Sequence, residues 1–359
     1  MNHGAQMKFA LCVPSEFFDH YHSHPFEISG LLQWAKVLKG DVVRIIDDLT
    51  PYDTIMLNFS STENEYGSMI RQVNPDAILI GLFDYGFDVV GSYFVNLERI
   101  KTVMNRCDII MSVNKNQVSW MKLLLPDKPI HYIPHPADTE NMLKFRRKKE
   151  DRTLGLGSMW HQYSPYDLQM LEVLKAVEKR LKKPIRKTLI GLKPRIMLEK
   201  GMKVVSSTMP IVPDDYPDEK MRGQPLDPGL PQIIQNAPPG IGWDGVLPYF
   251  GVEPWYNFLS QFEVCLDMYV TNSIGRFGID CAGVGVPLVA SNRQDSSKLL
   301  WPFTTVDPFV PGPAIDFVTK LLKDADFYDK TERVAFKSLH HFGFAKSRER
   351  MLRVLGEMD

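Results

Sequence analysis

The chain has 359 residues, 44% of them hydrophobic and 24% charged, which fits a folded protein of two ordinary domains. Its 42 basic and 43 acidic side chains leave a net charge of −1. A chain devoted wholly to gripping nucleic acid or an anionic bilayer carries a basic excess, and none is present globally.

At the amino terminus, MNHGAQMKFALCVPS is apolar for only a few residues and lacks the long core of a signal peptide. No uninterrupted apolar stretch approaches the ~20 residues of a spanning helix. Lys8–Val13 reads as a first strand, and residues 27–39 follow with helical spacing up to Gly40. Strands are expected at Val42–Ile46 and Thr54–Asn58, and a helix through Ser68–Val73. Ala77–Phe83 is a continuous apolar run, as a strand covered on both faces should be. Further strands are expected at Ile109–Val113 and His131–Ile133, with helical residues 116–125 between them. This alternation is the signature of βα units on a parallel sheet.

A charged run, KFRRKKEDR over residues 144–152, reads as a solvated interdomain linker. Clustered cations also make residues 144–149 a candidate for peripheral contact with anionic lipid or a polyanionic acceptor such as DNA. Afterwards the βα rhythm restarts. Strands are expected at Leu154–Gly157, Arg186–Ile190, Val264–Met268 and Val286–Ala290, with a long helix over Tyr166–Leu181. Residues 209–242 are rich in Pro, Gly and Asp, which excludes a regular helix or central strand and marks a functional or mobile insertion. Helical patterns at 314–323 and 347–355 close the chain. The expected organisation is a first domain over 1–143, the run 144–152, a second domain over 153–335 and a helical tail over 336–359.

Cys12, Cys107, Cys265 and Cys281 form no CxxC pair, and three lie in apolar runs. They read as small buried hydrophobes in a reducing, cytoplasmic compartment. Trp255, Tyr256 and Phe258 have helical spacing and read as core. Asp47-Asp48 and Asp214-Asp215 read as turn residues rather than metal ligands.

The segment DGVLPYFGVEPWYNFLSQFEVCLDMYVTNSIGRFGIDCAGVGVPLVAS ends in Gly285-Val286-Pro287-Leu288-Val289-Ala290-Ser291. That ending resembles the G-x-P-V-V-A-S tail of the large retaining family of GT-B glycosyltransferases, which includes sucrose and glycogen synthases. Tyr132-Ile133-Pro134-His135-Pro136-Ala137-Asp138 resembles that family's turn at the end of the first domain. Asp108–Val113 resembles its strand with a leading aspartate, and Leu154–Ser158 sits where the first strand of its second domain would be. The resemblance implies an α/β fold of two facing Rossmann-like domains, with the C-terminal helix crossing back to the first. It also implies transfer of a sugar from a nucleoside-diphosphate sugar, with retention and without metal or another bound cofactor.

Aligned on Gly285, the family's paired glutamates fall on Asn272 and Asp280. By resemblance Asp280 would bind the donor ribose, and Asn272 would stand at the reaction centre with an amide in place of a carboxylate. Gly157 is placed in the nucleotide-sugar site, but the family's diphosphate-neutralising Arg and Lys are missing after it, where the chain reads Ser158-Met159-Trp160-His161. Departure of the leaving group charges a diphosphate, which oriented N–H groups and cations must meet. Ser273, Ile274, Gly275, Arg276 and Phe277 precede a helix whose N-terminus can receive a phosphate, with Arg276 as a bidentate partner. The same glycines could instead serve only a tight turn. His161 and Lys193, and more weakly Arg195, stand just past strands and are candidate replacement cations.

In the first domain, His20, His22 and His24 alternate after strand one, and His22 is taken as a cleft-lining catalytic candidate. Asp84 ends the most apolar strand, where it would act as a base or bind the acceptor, or merely cap a turn. The acceptor class stays open among a glycan, a lipid-linked sugar, a protein and modified DNA. Two other readings are a glycosyltransferase-like protein that binds without catalysis, and a sugar-nucleotide epimerase of the same architecture.

Overall fold

The computed structural model describes residues 7–13, 30–58, 66–84, 97–159, 166–192, 245–248 and 252–356. They form two compact units. One comprises 1–139, 271–274 and 340–359; the other comprises 140–270 and 275–339. The division falls between Ile274 and Gly275, inside the stretch that the sequence assigns to the diphosphate.

The first unit is built on strands β1 (Phe9–Val13), β2 (Asp41–Arg44), β3 (Thr54–Asn58), β4 (Ile78–Phe83), β5 (Ile109–Ser112) and β6 (Ile130–Tyr132). They pair in the order β2-β1-β3-β4-β5-β6, every pair parallel. Helices α1 (Gly30–Leu38), α2 (Tyr66–Val73), α3 (Leu97–Asn105) and α4 (Lys115–Leu124) alternate with them. β4, ILIGLF, is buried almost throughout because it lies in the middle of the sheet. α4 starts where Asn114 accepts bonds from the backbone N–H groups of Asn116 and Gln117, the usual repair for orphaned first-turn donors.

In the second unit the strands are β7 (Leu156–Met159), β8 (Lys187–Leu192), β9 (Gly245–Pro248), β10 (Val264–Asp267), β11 (Leu288–Ser291) and β12 (Thr305–Val306). Their order is β12-β11-β10-β7-β8-β9, again all parallel. α5 (Thr139–Leu143) precedes them, and between and after them come α6 (Tyr166–Leu181), α7 (Val252–Leu259), α8 (Arg276–Val284), α9 (Asp295–Leu300), α10 (Pro311–Lys323) and α11 (Ala325–Ser338). α6 and α10 pack on each other over the core built around Leu171, Leu174, Leu266 and Val318. The last helix, α12 (Phe344–Gly356), packs on α1 within the first unit.

Every strand expected from the sequence is present within two or three residues. β9 and β12 are additional: one ends on a proline and the other is two residues long, so neither has a visible period. All four cysteines are free and buried. Trp255, Tyr256 and Phe258 are core residues. Asp47 and Asp48 serve turns, the first accepting from the Arg44 backbone and side chain, the second from Thr50. No helix among the described residues is long and apolar enough to cross a membrane.

The basic run differs from a solvated linker. It contains a 3-10 turn at Lys149–Asp151, and its arginines are bonded into the second unit. Arg146 pairs with Glu332 at 2.6 Å, and Arg147 donates to Asn257 and Ser260 at 2.7 and 3.0 Å. The Arg152 side chain is 1% exposed and donates to the backbone carbonyls of Gly285 and Arg147 at 2.7 and 2.9 Å. Charge alone suggested solvation. Partners distant in sequence bury Arg152 and hold Arg146 and Arg147 half-buried, while Lys144 and Lys148 are exposed.

Candidate functional site

In an open parallel sheet, ligands settle outside the carboxyl ends of the strands where the strand order reverses. In the second sheet that reversal lies between β7 and β10. β10 ends at Asp267, which is fully buried and accepts a bond from Gln294 Nε2 at 2.7 Å. Ser297 Oγ in turn donates to Gln294 Oε1 at 3.1 Å. The chain leaves β10 through residues 268–274 and turns into α8 at Gly275, whose φ of +74° is left-handed. A side chain is excluded there twice over. The backbone conformation disfavours one, and a Cβ would lie 2.6 Å from Ser296 Oγ and 2.8 Å from Gln294 Cβ.

This makes Gly275→Ala a test of how the start of α8 is built. The left-handed residue costs roughly 1–2 kcal/mol, and forcing a methyl into packed surroundings costs about 1–3 kcal/mol more. The denaturant midpoint should fall with the slope unchanged. An unchanged midpoint would mean that the turn relaxes freely and is not a fixed cradle.

Arg276 opens α8 and points back along it: its Nε donates to Asp280 Oδ1 at 2.9 Å, one helical turn away. The other carboxylate oxygen of Asp280 accepts from Trp255 Nε1 at 3.1 Å, and Arg276 Nη2 lies 3.4 Å from the Tyr256 hydroxyl. Asp280 is 1% exposed. Burial pushes its carboxyl up, and Arg276 and Trp255 pull against that shift. Burial also opposes the Arg276 charge, but Asp280 and Tyr256 more than offset it, so the guanidinium is held protonated more firmly than usual. The two are an ion pair. Residues that the sequence assigns separately, to ribose and to diphosphate, are one hydrogen-bonded unit.

The remaining assigned residues divide by position. Phe277 is buried, its ring 6.1 Å from that of Trp255. Ile274 is buried, and Asn272 and Ser273 are half-buried in the loop that groups with the first unit. Gly157 lies inside β7, where the space for a side chain is filled by Ile190, Phe262 and Cys265. Its missing side chain serves packing. His22, His161, Lys193 and Arg195 lie outside the described residues, as do His20, His24, Asp214, Asp215 and the insertion 209–242.

In the first unit Asp84 follows β4 directly, at the carboxyl edge of the sheet. Its Oδ1 lies 2.5 Å from Nε2 of His135, a residue with no functional reading in the sequence beyond its place in the family-like turn. Asn58 ends the neighbouring β3, buried and in register with Leu82. Its Oδ1 has no hydrogen-bond partner among the described residues. Alternation along single strands hides such convergence, because each group comes from a different strand end.

No protein-family model matches the chain, and no curated protein sequence matches it. Solved structures do. An alpha-glucosyltransferase in complex with UDP-glucose and DNA containing an abasic site aligns with a TM-score of 0.60 at 12% identity, over 98% of this chain and 99% of that one. Sucrose-phosphate synthase from Thermosynechococcus elongatus aligns at 0.59 and 12% identity, over 96% of this chain and 80% of its own. HepE of Anabaena, in complex with UDP and glucose, aligns at 0.61 and 10% identity, over 98% and 100%. The chain therefore has the GT-B fold. At these identities the likeness is one of fold.

Proposed function

We propose that the chain is a glycosyltransferase that moves a sugar from a nucleoside-diphosphate sugar to an acceptor hydroxyl. The observation that carries this reading is the start of α8, where left-handed Gly275 turns the chain that leaves β10 into a helix N-terminus. A helix N-terminus presents backbone N–H groups and the positive end of the helix dipole, both of which favour a phosphate. In this reading Gly275 and the first turn of α8 receive the donor diphosphate, and Arg276, held by Asp280, supplies positive charge beside it. Asp280 supports the ribose side of the nucleotide through that pairing, and Asn272 stands near the sugar. Asp84 takes the acceptor hydroxyl's proton as the new C1–O bond forms. The old C1–O bond breaks, and its electron pair leaves with the diphosphate. The resemblance at Gly285–Ser291 implies retention and independence from metal; retention requires that the acceptor oxygen approach C1 from the face the diphosphate leaves. UDP is the first nucleotide to try, since the solved structures of this fold named above include complexes with UDP and UDP-glucose.

The experiment is a panel of nucleotide sugars incubated with the full chain, followed for slow hydrolysis and for thermal shift. One sugar nucleotide should be hydrolysed. Its nucleotide, at a hundredfold its Kd, should stabilise the protein by about 2.7 kcal/mol. No turnover together with no shift by any nucleotide would overturn the reading. The mutual satisfaction of Arg276 and Asp280 favours one rival, a protein that binds without catalysis. That rival predicts a thermal shift without hydrolysis.

A further inference from the structure

Asp84 and His135 are 51 residues apart, yet the structure makes them a pair. Asp84 is the first polar residue after the apolar run of β4, and its side chain is 24% exposed. His135 follows β6 by two intervening residues, and its imidazole is nearly enclosed at 4%. Part of that enclosure is Gly30, the first described residue of α1. A Cβ at Gly30 would lie 2.1 Å from His135 Cβ and 2.4 Å from its Cγ, so the helix backbone rests directly on the ring. The glycine is there because the histidine is.

The other ring nitrogen settles the tautomer. His135 Nδ1 is buried and has no hydrogen-bond partner among the described residues. A proton on Nδ1 would be a donor sealed away from any acceptor, a costly arrangement. The proton therefore sits on Nε2 and is donated to Asp84 Oδ1. In a pair so engaged neither ring nor carboxylate turns freely, and Oδ2 is left for another donor. Among the described residues Asp84 makes no further hydrogen bond.

We infer that His135 is the positioning residue of Asp84: the imidazole, wedged by the Gly30 backbone, fixes the carboxylate so that Oδ2 meets the hydroxyl of the sugar acceptor. This rests on the glycosyltransferase reading. On transfer the hydroxyl proton passes to Oδ2, the acceptor oxygen bonds to C1, and the bond from C1 to the diphosphate oxygen breaks with its electron pair leaving on the nucleotide. His135 exchanges no proton with the substrate. A shared device built from residues 30, 84 and 135 explains a buried orphan nitrogen and an obligatory glycine together.

The test compares His135→Leu, which fills the site without a donor, with His135→Gln, whose amide can reach Asp84. UDP-glucose hydrolysis by the full chain is the probe, and UDP affinity by calorimetry is the control. His135→Leu should lower kcat roughly a hundredfold, the scale of a positioned proton acceptor, while KM for UDP-glucose stays within about threefold. His135→Gln should recover most of the loss. A kcat unchanged in His135→Leu, or an equal loss in both variants, overturns the inference. The pair can also be read without substrate: nitrogen-15 spectra should show His135 as the Nε2–H tautomer, perturbed in Asp84→Asn. An Nδ1–H tautomer overturns the inference whatever the activity. Failure of the glycosyltransferase reading looks different, as wild-type protein that neither binds UDP nor turns over any nucleotide sugar.

Discussion

Replacing Asp280 with alanine should cost about 3–5 kcal/mol of stability, the usual penalty for stripping one partner from a buried ion pair. The carboxylate is almost wholly enclosed and holds both Arg276 Nε and the indole N–H of Trp255. Its removal takes an acceptor from a guanidinium with 16% side-chain exposure and from the buried indole N–H of Trp255, and leaves a void between them. For a unit of this size each kcal/mol moves the melting point by about 2–4 °C, so calorimetry should see a fall of many degrees. UDP affinity should fall as well, but the alanine variant cannot say why. Asp280→Asn keeps the volume and one acceptor, and isolates the charge. If Asp280 acts through Arg276, then Asp280→Asn, Arg276→Gln and the double variant will weaken UDP binding non-additively. Additive losses would instead mean a direct ribose contact, and unchanged UDP affinity in Asp280→Asn would show that the nucleotide binds elsewhere.

That pairing shows how much of the site was legible in the sequence. Arg276 and Asp280 are four apart in a helix, a spacing that places side chains on one face. The sequence carries the spacing openly, but each residue alone also suits a ligand, and a pattern cannot say which bond forms. The fold was easier. β4 announces itself as an unbroken apolar run, and the βα rhythm restarts after the basic run as it should for a second parallel sheet. α11 has no clear signal in the sequence because its buried residues, Tyr328, Thr331 and Ala335, are a weak apolar stripe among charges. Arg152 was misleading for the opposite reason. Nothing local reveals that an arginine in KKEDR bonds the carbonyl of Gly285, 133 residues away. The His135 pairing was equally hidden, since it depends on how the ends of β4 and β6 converge.

The second large effect concerns that convergence. Asp84→Asn should leave the fold and UDP binding near wild type, because asparagine is almost isosteric and its carbonyl can still accept from His135 Nε2. What it loses is charge and basicity at the position facing the hydroxyl. If Asp84 takes that proton, kcat for UDP-glucose hydrolysis should fall about 10²–10⁴-fold, with KM little changed, the pattern of an interaction made only in the transition state. Asp84→Ala should be no less damaged in rate, and less stable, since it leaves His135 Nε2–H buried with no acceptor. The comparison between the two substitutions separates the roles. A rate equally low in both, with stability lost only in alanine, assigns the chemistry to the charge and the packing to the pair with His135. Full activity in Asp84→Asn would remove Asp84 from the reaction and leave it as a cap on the turn after β4.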